Sequence, residues 1–295
     1  MKRNNKIFGI ICGIGAAICY GTNPLGALKL YEQGMSTSNV LVMRFSLAWI
    51  IIAVVMLFRK ESLRVTLKEF LALSSLGLLF VASSLTLYLS FHKMAAGVAS
   101  TILFVYPVMT AIIMALFFHE KPSWSTVLAI VVSFLGVLLL YWSDNGATLS
   151  TIGIILVLIS ALTYALYIIV MNRAKLNMSS FKINFYVLIY CSLGNLAYGI
   201  LAGESIMMPS NGVSWFYVLW LAVVPAILAL TMMIYAAKYI GSTPTAILGA
   251  LEPLTAVLIG IFIFSEPCTL NLFAGIAFIL LSVIIIALQN NKVKQ

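Results

Sequence analysis

Polar positions along this chain are sparse and clustered, and long apolar stretches run between the clusters. A helix needs about 20 mostly apolar residues to cross a bilayer. Ten stretches approach that length, at roughly residues 7–27, 38–58, 70–91, 96–118 and 124–142, then 151–172, 183–202, 213–236, 243–265 and 269–288. Narrow gaps separate the third from the fourth and the eighth from the ninth, so the count is most open there. The pattern predicts an all-α integral membrane protein of ten transmembrane helices. Composition agrees: 63% of residues are hydrophobic and 8% charged, whereas soluble domains carry about 25% charge. The opening Met1-Lys-Arg-Asn-Asn-Lys6 and its apolar run superficially look like a signal peptide. That run is too long, and no small-x-small cleavage site precedes a polar domain, so it reads as a retained first span.

The net charge of +9 would suit nucleic acid, but its distribution points to a membrane instead. With the N-terminus in the cytoplasm and loops sorted alternately, Lys2, Arg3, Lys6, Arg59, Lys60, Arg64, Lys68, Lys121, Arg173, Lys175, Lys182, Lys238, Lys292 and Lys294 fall inside. Lys29 and Lys93 fall outside, and Arg44 lies within a span. Cytoplasmic loops of membrane proteins carry this excess of Lys and Arg, so both termini are expected inside. The longest polar connections, around 59–69 and 173–182, are too short for a soluble signalling domain.

The two halves repeat. Tyr106-Pro107 precedes Glu120 by the interval at which Glu252-Pro253 precedes Glu266, and a shift of 146 residues relates both pairs. Val105–Ala111 aligns with Leu251–Val257, and Gly9, Ala17 and Tyr20 match Gly153, Ala161 and Tyr164 at a shift of 144. Five spans per half is an odd number, so residues 146–295 should insert upside down relative to residues 1–145. Carriers built from inverted repeats place their substrate near the midplane, where the repeats meet. Gly9, Gly13, Ala17 and Gly21 form a ridge of small residues that lets another backbone approach, either within the bundle or between subunits of a homodimer. Pro24, Pro107, Pro225, Pro244 and Pro253 can interrupt spans, and freed carbonyls are tolerated where they line a cavity.

Arranged this way, the chain resembles the EamA-type transporters of the drug/metabolite transporter superfamily over nearly its whole length. The resemblance rests on Leu251-Glu-Pro-Leu-Thr-Ala with Phe264-Ser-Glu266, on Arg44-Phe-Ser-Leu-Ala48, and on Tyr20-Gly-Thr-Asn23. Tyr20 stands where tryptophan is common, and His119 and Ser265 stand where glycine is usual before the glutamates. The resemblance implies a bacterial plasma-membrane carrier, often an exporter of amino acids or other metabolites, that works without ATP. The chain has no GxxxxGK[ST] loop, which agrees with that.

Candidate residues follow from polarity out of place. Glu252 sits in an otherwise uncharged span, where an ionisable group costs roughly 2.5–3.5 kcal/mol or more and so usually has a task. It could accept a coupling proton, pair with a substrate ammonium, or serve structurally as an ion pair or a protonated, hydrogen-bonded acid. Arg44 could grip a substrate carboxylate with its fork, snorkel to the outer interface, or pair with Glu252. Tyr20, Asn23, Tyr106, Tyr164 and Tyr235 could give a small-solute cavity amphipathic walls, or simply pack. Tyr235, near an inner helix end, fits an interfacial aromatic as well. Glu120 and Glu266 read as acids at the N-terminal ends of the helices that follow them, with gating as the alternative. Lys93, Lys238, Lys29 and Glu32 read as solvated loop charges.

The expected function is secondary transport of small organic solutes, amino acids or related metabolites, by alternating access with proton or counter-solute coupling. Export is favoured by resemblance alone, and an uptake permease fits the same residues. An intramembrane enzyme would need clustered catalytic groups at one depth, which Arg44 and Glu252 do not make; a channel is a third class. No cofactor, metal or ATPase subunit is expected. Cys12, Cys19, Cys191 and Cys268 form no CxxC, and with His92 and His119 as the only histidines an HExxH site is excluded. The expected partners are the solute and the bilayer, not nucleic acid.

Overall fold

Apolar runs of this length can satisfy their backbone groups in a bilayer only as helices or closed barrels, and here they are helices. The computed structural model describes residues 2–119, 124–141, 150–174, 176, 178–205, 207–240, 245, 248–249, 251–266 and 268–292. The described helices are α1 (Lys2–Gly21), α2 (Asn23–Glu32), α3 (Thr37–Phe58), α4 (Leu67–Ser90), α5 (Ala96–Leu103), α6 (Tyr106–Phe118) and α7 (Trp124–Tyr141). They continue with α8 (Thr151–Ala174), α9 (Ser180–Leu201), α10 (Gly212–Val223), α11 (Ala229–Ile240), α12 (Leu251–Phe264) and α13 (Leu270–Lys292). Seven segments are long and apolar enough to cross a membrane, counting α1–α2, α5–α6 and α10–α11 as one each. Three shorter apolar helices, at 124–140, 251–264 and 270–285, accompany them. Leu78, Phe117, Phe134, Ile155, Leu193 and Phe262 are exposed on the perimeter, an arrangement stable against lipid but not against water.

Polar residues set the helix ends. Thr66 and Glu69 form a reciprocal capping box at the start of α4, and Ser36, Ser179 and Asn211 cap α3, α9 and α10. Each satisfies backbone N–H groups that the first turn leaves without partners. Within segments, the chain breaks at Thr22 before Asn23-Pro24 and at Phe104-Val105 before Tyr106-Pro107. A π-helical turn over Val224–Leu228, containing Pro225, joins α10 to α11. Proline lacks the N–H and crowds the preceding turn, so these are the places where the hydrogen-bond ladder gives way. The first segment runs further than its hydropathy suggests: α2 extends to Glu32. Lys29 and Glu32 are therefore a helical i,i+3 ion pair at 2.8 Å, not loop charges.

The bundle is assembled from pairings between halves. α1 packs on α11, α8 on α4, α3 on α9, α5 on α12 and α7 on α13. Exchanging the two halves turns the first pairing into the second and each of the others into itself. Individual contacts obey the same rule. The Ser46 hydroxyl lies 2.6 Å from that of Ser192, which is 146 residues away. Gly9 packs on Tyr239 and Ile240, while its counterpart Gly153 packs on Lys93 and Met94, displaced by the same interval. A Cβ on Gly136 would meet the Gly275 carbonyl, and one on Gly275 the Gly136 carbonyl, each at 3.0 Å. The ridge of Gly9, Gly13, Ala17 and Gly21 is spent inside the bundle, with Gly13 against Leu248 and Ala236 and Gly21 against Thr255 and the Glu252 carbonyl.

The departures at His119 and Ser265 have a backbone cause. His119 has φ 55° and Ser265 φ 53°, the left-handed region that glycine enters without a Cβ penalty. Both side chains are exposed, so little offsets that strain. Replacing either by glycine, His119→Gly or Ser265→Gly, should raise stability by about 0.5–1 kcal/mol. Melting curves of the purified protein in one detergent will measure this. A lower melting temperature would mean that the side chain contributes more than the backbone relief.

Candidate functional site

The interrupted helices converge on a cavity of about 180 Å3 between the two halves. Tyr20, Gly21 and Asn23 reach it from the α1–α2 break, Leu103, Phe104 and Tyr106 from the α5–α6 break, and Glu252 and Ala256 from α12. α3 supplies Arg44 and Phe45, α4 supplies Phe80, Ser83, Ser84 and Tyr88, α8 supplies Tyr164, and α11 supplies Met233. Both breaks thus face the space, with the last residues of α1 and α5 beside the first turns of α2 and α6, so their opposite partial charges offset each other. Gly21 lets α1 approach so closely that a Cβ there would lie 2.7 Å from the Glu252 carbonyl. That contact fixes the depth of the acid.

Arg44 is the buried charge of this wall, only 8% exposed, so it does not snorkel to the surface. Its Nη1 donates to the Tyr88 hydroxyl, and its guanidinium carbon lies 5.2 Å from the centre of the Phe45 ring and 5.6 Å from that of Tyr88. Its Nε is buried without a hydrogen-bond partner. The Tyr88 hydroxyl donates in turn to Asn23 Oδ1 at 3.4 Å, and Asn23 Nδ2 donates to the Tyr20 carbonyl at 3.0 Å. The only ion pair among the described residues is Lys29–Glu32. Arg44 and Glu252 therefore line one cavity without pairing, and the ion pair considered between them is not formed.

From Phe45, beside Arg44, aromatic rings continue round the cavity. Ring centres are 5.8 Å apart for Phe104–Tyr106, 4.8 Å for Tyr106–Tyr164 and 6.2 Å for both Phe80–Tyr164 and Phe45–Phe80. Edge-to-face and tilted contacts at these distances are favourable ring geometries. Of the candidate residues, Tyr20, Asn23, Arg44, Tyr106, Tyr164 and Glu252 meet at the cavity, and Tyr235 does not. It is 42% exposed and packs on Phe8 and Tyr239 at the bundle surface, because α11 turns Met233 inward. Tyr88, Phe80 and Phe104 escaped the sequence reading, since an aromatic residue in an apolar span is indistinguishable from packing. The adjacent hydroxyls of Ser83 and Ser84, in mid-span, were the available signal.

Around the cavity, polar contacts tie the segments together. The Tyr31 hydroxyl donates to the Tyr88 carbonyl at 3.2 Å, Thr37 donates to Tyr31 at 3.2 Å, and Thr37 Oγ1 lies 2.9 Å from His92 Nε2. The His92 ring stacks on Tyr31 at 4.1 Å. Partial burial, with Lys93 beside it, holds its pKa below the ordinary histidine value. Glu266 does not cap the helix that follows it. Its carboxylate accepts from the N–H groups of Ala96 at 2.8 Å and Gly97 at 3.4 Å, at the start of α5. The left-handed turn at Ser265 and the bond from Glu266 N–H to the Gly260 carbonyl fold the side chain back between the halves. Burial raises its pKa and the two backbone donors oppose that rise. Glu120 lies outside the described residues.

A model of the EamA-like transporter family matches residues 7–142 and again residues 151–288. An uncharacterized transporter of Archaeoglobus fulgidus is 29% identical over 218 residues, covering 74% of this chain and 76% of that protein. The uncharacterized transporter YdfC of Bacillus subtilis is 24% identical over 212 residues, covering 71% of this chain and 69% of its own. A solved crystal structure superposes with a TM-score of 0.69 at 15% identity, covering 97% of this chain and 99% of that one. It is similar in fold alone.

Glu266→Ala should leave the first N–H groups of α5 without their acceptor. The expected cost is about 0.5–2 kcal/mol, the range for losing a side-chain helix cap, read as a lower melting temperature in detergent. An unchanged melting temperature would mean that solvent replaces the carboxylate and that the contact between halves contributes nothing.

Proposed function

The chain belongs to the EamA-like transporter family, and on that premise we propose that it is a secondary carrier of small zwitterionic solutes, amino acids or related metabolites. In this reading ten transmembrane helices form two inverted five-helix repeats, residues 1–145 and 146–295. Both termini are cytoplasmic, and the protein resides in a bacterial plasma membrane. The half-to-half helix pairings support the repeat, and the inward bias of Lys and Arg supports the orientation. One observation carries the functional reading: Arg44 and Glu252 line a single cavity and are not ion-paired with each other. A guanidinium suits a carboxylate, an acid suits an ammonium, and the aromatic lining they share suits an apolar body.

Alternating access then means exposing that cavity to one face and the other in turn, by movement of one repeat against its partner. The breaks at Thr22, at Phe104-Val105 and at the π-helical turn are where the segments can bend. Such a carrier needs a solute and a bilayer, and no ATPase subunit. Net flux follows the gradients of solute and coupling ion; export is the direction that family resemblance favours. Glu252 is the group whose charge can change during a cycle, so it is the proposed coupling residue.

The test is flux in proteoliposomes loaded with labelled amino acids, with and without an imposed pH gradient. Saturable counterflow is expected, and Glu252→Gln should lower it at least tenfold in protein that inserts and melts normally; tenfold corresponds to about 1.4 kcal/mol of lost interaction. A gradient response in the wild type that disappears in the variant makes Glu252 the proton site. Wild-type flux and pH dependence in the variant would remove Glu252 from the mechanism. Flux that does not saturate would favour a channel.

A further inference from the structure

Arginine stays protonated at any pH the protein meets, and taking its charge out of water costs several kcal/mol unless good partners replace the water. Around Arg44 that replacement is incomplete. The Phe45 and Tyr88 rings contribute cation–π contacts, and Tyr88 accepts one hydrogen bond at Nη1. Nε has no partner, and no carboxylate lies within ion-pair distance among the described residues. Among the described residues, the Nη1 bond to Tyr88 is the only hydrogen bond of the guanidinium, which leaves Nη2 without one. Nε–H and one Nη2–H point the same way from the guanidinium plane, so the unsatisfied edge is the one that takes both oxygens of a carboxylate at once.

We propose that Tyr88 is a positioning residue, fixing Arg44 so that its Nε–Nη2 edge is presented to a carboxylate entering the cavity. This rests on the reading that the cavity carries the solute, and it names the solute's anchoring group. Tyr88 is suited to the task because nothing about it is loose. Its side chain is 1% exposed, its ring packs on Phe91 with centres 5.3 Å apart, and its carbonyl accepts from Tyr31. Its hydroxyl proton is directed to Asn23 Oδ1 at 3.4 Å, so the oxygen lone pairs face Arg44 and can only accept. Asn23 is held in turn by the Tyr20 carbonyl. A neutral amide or an alcohol offers that edge one uncharged oxygen, whereas a carboxylate offers two oxygens that share a negative charge, so the edge favours a carboxylate.

The experiment is a thermal-shift titration of the full chain in detergent with sodium acetate, sodium benzoate, L-leucine and L-phenylalanine, beside benzamide and sodium chloride as controls. At least one carboxylate should raise the melting temperature saturably, while benzamide and chloride do not. Tyr88→Phe keeps the ring, its packing and its cation–π contact, and should weaken that carboxylate about tenfold or more, the size of losing one hydrogen bond to a charged group. Arg44→Lys should abolish the shift. Asn23→Ala, which removes the acceptor that turns the Tyr88 hydroxyl, gives a second route should Tyr88→Phe fold poorly, and should weaken binding in the same direction. Wild-type carboxylate affinity in whichever of these two variants folds overturns the role of Tyr88 and leaves the carboxylate site standing. No shift by any carboxylate in the wild type overturns the site itself.

Discussion

A cation that cannot discharge, held inside an apolar helix bundle, constrains everything placed around it. Neutralisation by proton loss is closed to Arg44, so its surroundings must replace water; two ring faces and one phenol oxygen do so in part, and Nε is left buried without a partner. The site is also fixed in the architecture. Arg44 stands two residues before Ser46, whose hydroxyl touches that of Ser192 across the two halves. The charge therefore lies beside the line about which the halves exchange, where any rearrangement of one against the other alters its environment first. A buried charge at a packing seam is costly in a static protein, and is explained if the seam opens and a ligand arrives.

The broken helices serve the same end. A continuous helix satisfies its own backbone and presents side chains to a neighbour; a broken one ends inside the bundle and turns a helix terminus toward the space beside it. Asn23 and Tyr106 occupy such first turns, with proline following each. Gly21 permits the backbone of α1 to rest almost on the Glu252 carbonyl.

What could be read from sequence tracks how local the physics is. Helical segments were legible because the bilayer imposes length and polarity residue by residue, and where the structure is described helices occupy those windows apart from the breaks at Thr22 and Phe104-Val105 and single residues at window ends, among them Phe91 and Ser265. Arg44 and Glu252 were legible because charge in an apolar run is conspicuous. Tyr88 was not, because its role depends on a partner 44 positions away. Tyr235 was misplaced because α11 offers aromatic residues on more than one side and hydropathy does not say which faces inward. Glu266 looked like a cap for the helix beside it in sequence, whereas its hydrogen-bond donors lie 169 and 170 positions away. Lys29 and Glu32 looked like loop because they are charged, yet α2 carries them as a helical pair.

The halves diverge where chemistry requires it and agree where geometry does. His119 and Ser265, equivalent positions with unrelated side chains, adopt φ of 55° and 53°. The left-handed turn recurs in both halves even though neither residue is glycine. Tyr106 and Glu252 are likewise equivalent in sequence and both reach the cavity, but one brings a phenol and the other a carboxylate. A perfectly symmetric cavity would accept a small solute equally well in two opposed orientations. In the proposed zwitterion site, the acid in one half and Arg44 in the other would remove that degeneracy, since exchanging the solute's ends would set like charges against each other. Duplication supplies a frame whose two faces are equivalent, and two unmatched charges give it a single polarity.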